Sequence, residues 1–231
     1  MSRAAPWSYS KLNTYLTCKH MFYRKYVTKD VKDESSPEAL AGQKLHSQLE
    51  AAIKGEGPGP ADFPAATAMC ERLRNVGAKP ELALGVRQDW APCGFWASDV
   101  WGRTKIDSVI LSTPTALVVD WKTGNPKNKK YLDEFELVCQ AAIIAAEYPN
   151  VTTVNAAYYF VRDDSYWAGL TLEGTPRKYY TLKPAQCRTL VQGIVDEIDN
   201  RGEDKFTTKK NPLCNGWCPV KDCKHWRPKR A

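Results

Sequence analysis

Asp107, Asp120 and Lys122 are the residues of this 231-residue chain whose types and spacing point most directly to chemistry. They lie in Gly102-Arg-Thr-Lys-Ile-Asp107 and Leu117-Val-Val-Asp-Trp-Lys-Thr-Gly124, two apolar, β-branched stretches separated by Ser112-Thr-Pro-Thr115. Such stretches around a Pro-containing turn predict a β-hairpin. A hairpin symmetric about Thr113–Pro114 pairs residues whose numbers sum to 227, which sets Asp107 opposite Asp120. Directly opposed side chains have Cβ atoms roughly 5 Å apart, and two carboxylates at that distance repel unless a cation joins them. Hard oxygen ligands suit Mg²⁺ or Mn²⁺ and leave room for water and a phosphate. Strand alternation puts Lys122 on the face of Asp120, with Val119 and Trp121 on the other. An ammonium there can orient a metal-activated water and balance charge developing on phosphorus. Asp-x-Lys alone is equally compatible with a solvated strand face, and Asp107 across the turn is what favours the metal.

Three further polar residues gain meaning only in this company. His46, one of three histidines, offers a neutral imidazole as a third ligand for Mn²⁺. Gln140, on the stretch after the hairpin, can bring an amide to the water shell of the ion. Glu81, at the opening of a strand, is either a further metal or supporting group or an exposed strand end.

The tail Cys214-Asn-Gly-Trp-Cys218-Pro-Val-Lys-Asp-Cys223 sets three soft ligands at spacings of x3 and x4. Four thiolates close a tetrahedral or cluster site, and Cys18 is the natural fourth. A metal there orders a tail whose pattern supplies no core of its own. Cys70, Cys93, Cys139 and Cys187 lie inside apolar patterns and read as core. Eight cysteines in a chain that opens without an apolar leader argue against a disulfide framework, and the expectation is an intracellular, cytoplasmic protein. No apolar run is long enough to span a bilayer. With 33 Lys and Arg against 26 Asp and Glu, the net charge of +7 permits a polyanionic partner, nucleic acid first. Lys127, Lys129 and Lys130 follow the hairpin, and Lys221, Lys224, Arg227, Lys229 and Arg230 crowd Trp217 and Trp226. Cations interleaved with indoles suit a single strand of nucleic acid.

These groups need elements to position them. A capped helix is expected from Trp7-Ser-Tyr-Ser10 through Val27 with Cys18 at its middle, then helices over 37–54, where Gly42 and His46 share a face, and 61–75. Strands are expected over 81–90, 94–100, 104–111 and 115–122, a helix over 132–147, strands over 151–161 and 166–172, and a last helix over 183–200. That order predicts an α/β fold with a mixed sheet flanked by helices. As one domain it divides into an N-terminal helical part (1–78), a catalytic α/β core (79–202) and a Cys-rich tail (203–231) that packs back on the N-terminal helix.

With these residues in place, the chain resembles the PD-(D/E)XK nuclease superfamily, specifically its RecB-like branch of CRISPR-associated and phage-encoded exonucleases. The matching pieces are Ser8-Tyr-Ser-Lys-Leu through Tyr15-Leu-Thr-Cys18, Gly42-x-x-x-His46, Glu81, Gly102 through Asp107, Val119-Asp-Trp-Lys-Thr-Gly124 and Gln140. The resemblance implies a restriction-endonuclease-like core, an ion held by His46, Asp107 and Asp120, catalytic help from Lys122, Gln140 lining the site, and a [4Fe-4S] cluster on Cys18, Cys214, Cys218 and Cys223, with Zn²⁺ as the alternative. It implies a metal-dependent DNA exonuclease of recombination, repair or replication, acting on ends or single strands, with a 5′ to 3′ preference. The alternative is a non-catalytic DNA-binding subunit of a recombination or CRISPR-adaptation complex. Two departures stand out: the family's middle tail cysteine falls one residue earlier, and Ile144 stands where members often carry tyrosine.

Overall fold

The computed structural model describes residues 6–33, 36–125, 127, 132–171, 173–202 and 205–228. The chain forms two compact units, Ser36–Val191 and Met1–Ser35 with Gln192–Ala231.

The first unit is built on a mixed sheet, with seven strands among the described residues and helices packed against it. Helix α3 (Pro37–Lys54) carries the full set of terminal signals. The Ser36 hydroxyl accepts the Ala39 N–H, Pro37 opens the first turn beside Glu38, and Gly55 closes the helix at φ +77°. Each signal satisfies or avoids an orphan backbone group, so the observed bounds are those read from sequence. Helix α4 (Pro64–Asn75) follows, and Leu45, Leu49 and Ile53 of α3 pack with Ala66, Cys70 and Leu73 of α4. Burying each large aliphatic side chain contributes about 1.5–3 kcal/mol.

Strand β1 (Lys79–Val86) lies antiparallel to β3 (Gly102–Ser112), which lies antiparallel to β4 (Thr115–Lys122). The hairpin register is the expected one, with Ser108 opposite Val119 and Ser112 opposite Thr115. Helix α5 (Phe135–Glu147) then crosses over to β5 (Thr153–Phe160), parallel to β4. The other edge of β5 carries two short antiparallel strands, β6 (Ser165–Trp167) and β7 (Tyr180–Leu182). Val119 and Trp121 of β4 join the core under α3 and α4, which leaves the intervening Asp120 and Lys122 for the opposite face.

The strand expected over 94–100 does not form, and the one expected over 166–172 is much shorter than its pattern suggested. Between β1 and β3 only Pro92–Cys93 (β2) pairs, and residues 94–100 form successive turns, with Ala97 N–H bonded to Gly94 O and Val100 N–H to Ala97 O. The aromatic residues that imitated a strand there sit on irregular backbone. The segment expected as a strand over 166–172 is strand only to Trp167, makes one further isolated bridge from Leu170 to Pro176, and its last residue, Leu172, lies outside the described residues.

The second unit begins with α1 (Tyr9–Thr17), α2 (Lys19–Phe22) and a π-helical turn (Tyr23–Val27), where the sequence pattern suggested one helix. The break falls at Cys18, which is extended (φ −160°, ψ 111°). Its N–H closes α1 on Thr14 O and its C=O opens α2 by accepting Phe22 N–H, so the interruption leaves neither group unpaired. The unit takes in the second half of α6 (Pro184–Asp199) and the tail, which is largely irregular among the described residues and includes a 3₁₀ turn at Pro212–Cys214.

Candidate functional site

The site in the first unit starts where the β3–β4 ladder ends. One step beyond the Ser108–Val119 pair, Asp107 Oδ2 accepts the Trp121 N–H at 2.8 Å, so a carboxylate stands in for the next backbone partner. On the other side of β3 the register with β1 places Glu81 opposite Asp107, between the Pro80–Ser108 and Leu82–Ile106 pairs. Glu81 has φ +51°, a left-handed conformation inside a strand that costs a non-glycine residue roughly 1–2 kcal/mol. The strand keeps this strained residue where its carboxylate meets Asp107 and the ammonium of Lys105.

Helix α3 supplies the third donor. His46 Nδ1 lies 3.4 Å from Asp107 Oδ1, and donor atoms of His46, Glu81 and Asp107 all fall within 4.8 Å of one another. Ligands of an octahedral ion at ~2.1 Å stand about 3 Å apart when adjacent and about 4 Å when opposite, so this donor set fits a hard divalent ion. Gly42, one turn before His46, permits the approach: a Cβ there would meet Thr123 Oγ1 at 2.9 Å. Burial lowers the His46 pKa, but Asp107, with Asp120 and Glu81, outweighs it and leaves the imidazole more basic than usual. The donors open into a cleft of about 640 Å³ lined also by Glu38, Gln43, Glu50 and Lys105.

Asp120 and Lys122 form an adjoining buried group. Asp120 Oδ1 accepts from Gln140 Nε2 at 3.2 Å, and its Oδ2 lies 2.6 Å from Lys122 Nζ. Lys122 Nζ also donates to Glu136 Oε2 at 2.8 Å and stands 4.7 Å from the ring centroid of Tyr158. Burial, then Glu136, push the Asp120 carboxyl above the usual range against the pull of Lys122. Burial would lower Lys122, but the two carboxylates reverse the sign and keep it protonated. Gln140 Oε1 is buried with no hydrogen-bond partner among the described residues, an orphan acceptor beside the carboxylate.

His46 and Asp107 are therefore drawn together, with Glu81 rather than Asp120 as the third member of the close-set group. Asp120, Lys122 and Gln140 converge beside it. Glu136 was not singled out from sequence, although its i, i+4 relation to Gln140 on α5 puts both on the face that meets β4. The Glu81–Asp107 juxtaposition was hidden because the residues between β1 and β3 carry a strand-like pattern but fold mostly as turns, so the β1–β3 pairing could not be foreseen.

In the second unit Cys18, Cys214, Cys218 and Cys223 line one cavity with His20, Met21 and Trp226. All are free thiols. Among the described residues the group of three donors that all lie within 4.8 Å of one another is the His46 set alone. The tail is held by Arg227 N–H on Cys214 O, by the Trp226 indole on Cys218 O at 3.1 Å, and by Arg24 on Asp222 at 3.0 Å. Trp226 is thus engaged in the tail's own packing, while Trp217 is 67% exposed and Lys127 is exposed. Lys129, Lys130, Lys229 and Arg230 lie outside the described residues.

No curated protein matches the chain. Among solved structures, that of SSO0001 aligns over 99% of this chain and 90% of its own at 14% identity and a TM-score of 0.48. That of a “Putative exonuclease” from Eubacterium rectale aligns over 84% and 79% at 12% identity and a TM-score of 0.46. Among the described residues no helix is long and apolar enough to cross a membrane. Residues 6–101, which contain Cys18, His46 and Glu81, match the family model of the PD-(D/E)XK nuclease superfamily.

Proposed function

We propose that the chain is a Mg²⁺- or Mn²⁺-dependent DNA exonuclease that acts on single strands or free ends, with a 5′ to 3′ preference. The observation that carries this reading is the convergence of His46, Glu81 and Asp107 donor atoms within 4.8 Å beside a protonated, doubly paired lysine. A divalent ion bound there supplies Lewis acidity and a water of lowered pKa. His46, Asp107 and Glu81 would hold it, with the Asp120 carboxylate beside them as a further donor. Lys122 keeps its proton, and Asp120 and Glu136 fix its ammonium where it can meet an anionic phosphate oxygen or orient the attacking water. Gln140 holds Asp120 in that attitude through its amide N–H.

The same reading gives Cys18, Cys214, Cys218 and Cys223 a [4Fe-4S] cluster that orders the tail. Its support is that the four thiols, Cys18 distant in sequence from the other three, line one cavity, which matches the four thiolates such a cluster takes. DNA recombination, repair or replication is the setting that such an enzyme serves.

End-labelled DNA incubated with Mn²⁺ tests the reading. Wild-type protein shortens the labelled strand, and Asp107→Asn abolishes shortening together with Mn²⁺ binding followed by calorimetry. Cleavage that persists in Asp107→Asn, or in EDTA, removes it. Anaerobically purified protein with thiolate-to-iron absorbance, lost in Cys214→Ala, supports the cluster, whereas colourless protein with stoichiometric zinc excludes it.

A further inference from the structure

Away from the cleft, the turns between β1 and β3 gather an unusual density of aromatic rings. Trp96 is 81% exposed, the most exposed large hydrophobic side chain among the described residues. Phe95 packs edge-to-face against it at 4.8 Å between centroids. The Arg103 guanidinium lies against both rings, 4.8 Å from the Trp96 centroid and 5.0 Å from that of Phe95. Behind them Trp90 and Trp101 meet edge-to-face at 5.4 Å, with Arg188 5.5 Å from the Trp90 ring. An indole held in water by a cation and a second ring is fixed in orientation without being buried. A core does not need that arrangement, and a stacking surface does.

The position of Arg103 ties this surface to the cleft. Burial along β3 alternates, with Gly102, Thr104 and Ile106 buried and Arg103, Lys105 and Asp107 on the open side. The three open-side residues therefore form a line that rises about 13 Å from the aromatic pair to the carboxylate, at ~3.3 Å per residue. Across the register, Gly85 faces Arg103 and Ala83 faces Lys105, so the adjoining strand offers almost no side chain above the line. Over Gly85 that room is taken by the loop that carries the aromatic pair, since a Cβ there would meet Gly94 O, Cys93 O and Val100 Cγ2 at 3.0–3.1 Å, so the open stretch begins beside Lys105. The result is a line of two cations, Arg103 and Lys105, with the acid-lined cleft at one end and the exposed indole on its loop at the other. Alternating cationic and aromatic contacts match the alternating phosphates and bases of a single strand.

We propose that Phe95, Trp96 and Arg103 form a base-stacking platform that receives a single-stranded nucleic acid a few nucleotides away from the phosphate held in the cleft. The proposal rests on the reading of the cleft as a nuclease site and gives it a substrate form: a strand whose bases are unpaired, since a duplex keeps its base faces stacked inside.

The test is binding of a short fluorescein-labelled oligothymidylate by the full chain in EDTA, followed by anisotropy, so that neither ion binding nor cleavage enters. Trp96→Ala weakens binding about ten-fold, Trp96→Phe retains most of it, and the gap between wild type and Trp96→Ala closes on an abasic oligonucleotide of the same length. Because Trp96 is solvent-exposed, unchanged circular dichroism accompanies the loss. Equal binding of oligothymidylate by wild type and Trp96→Ala overturns the platform, as does an equal loss on the abasic strand, which would make the contact one of charge. Cleavage by wild type with Trp96-independent binding removes the platform alone. Trp96-dependent binding by a protein that cleaves nothing in Mn²⁺ removes the nuclease reading alone.

Discussion

The acid-lined cleft and the thiol cluster are both candidate metal sites, but they are built in opposite ways. The cleft takes its donors from the middles of regular elements: His46 from an 18-residue helix, Glu81 from β1, and Asp107 and Asp120 from adjoining strands. Backbone ladders fix those positions whatever the side chains hold. The thiols come from a helix break at Cys18 and from a tail that is largely irregular among the described residues, Cys214 itself ending a 3₁₀ turn. Little hydrophobic burial supports them, the local cluster being Cys18, Met21 and Val220 with Val31, Cys218 and Cys223 around it. A site made from ladders can be preorganised and empty, whereas one made from loops needs its ligand to supply folding energy.

The largest expected effect separates binding from chemistry within the cleft. Lys122→Met removes the ammonium but none of the close-set donors. Single-turnover cleavage should fall by about 10²–10³-fold while Mn²⁺ affinity changes little, because the lost group acts on developing charge. A Mn²⁺ affinity that falls in parallel with the rate would mean that Lys122 maintains the donor geometry and does no more.

The thiol site should answer in stability. Cys214→Ser, in protein purified anaerobically, is expected to lose the chromophore and lower the melting temperature by about 5 °C or more, since a ligand bound only to the folded state adds its binding energy to stability. Mn²⁺ binding by the cleft should be unaffected. A variant that melts like wild type would show that the tail orders itself through the Arg24–Asp222 and Trp226–Cys218 contacts.

This difference in construction also decided what could be read from sequence. Helix α3 was legible to the residue because Ser36, Pro37 and Gly55 punctuate it, and the hairpin because two β-branched stretches flank a Pro turn. Local chemistry sets both. The Glu81–Asp107 contact depends on pairing across residues 87–101, where aromatic residues carried a strand-like pattern into what became turns. The Cys18 break was invisible for the opposite reason: the apolar stripe of α1 continues through Met21 and Phe22, and only backbone dihedrals show that the helix restarts. Glu136 escaped notice because a charged residue opening a helix reads as solvated until its partner on β4 is known. Cysteine spacing pointed to Cys18 and the tail thiols as one group, and they do line one cavity.

The smallest expected effect is one of pH, and the two regions should respond with opposite sign. In metal-free protein the His46 pKa is raised by Asp107, so its contribution to stability is complete below the unfolded value of 6.5 and disappears as pH rises through the folded value. Asp120 acts in the same direction, because its folded pKa is raised by burial and ionisation then costs stability as pH rises. Glu197, in the other unit, is drawn down to about 2 by Lys19, with Tyr15 and Arg201 adding to it. Its contribution is complete above 4.5 and disappears as pH falls towards 2. The Glu197 side chain is 46% exposed, so solvent screening leaves no more than about 1 kcal/mol. Urea unfolding in EDTA should therefore show His46→Gln destabilised relative to wild type at pH 6 but level with it at pH 9. Glu197→Gln should be destabilised at pH 7 and approach wild type as pH falls below 4.5. Parallel pH profiles for the two variants would mean that neither pair acts through its charge.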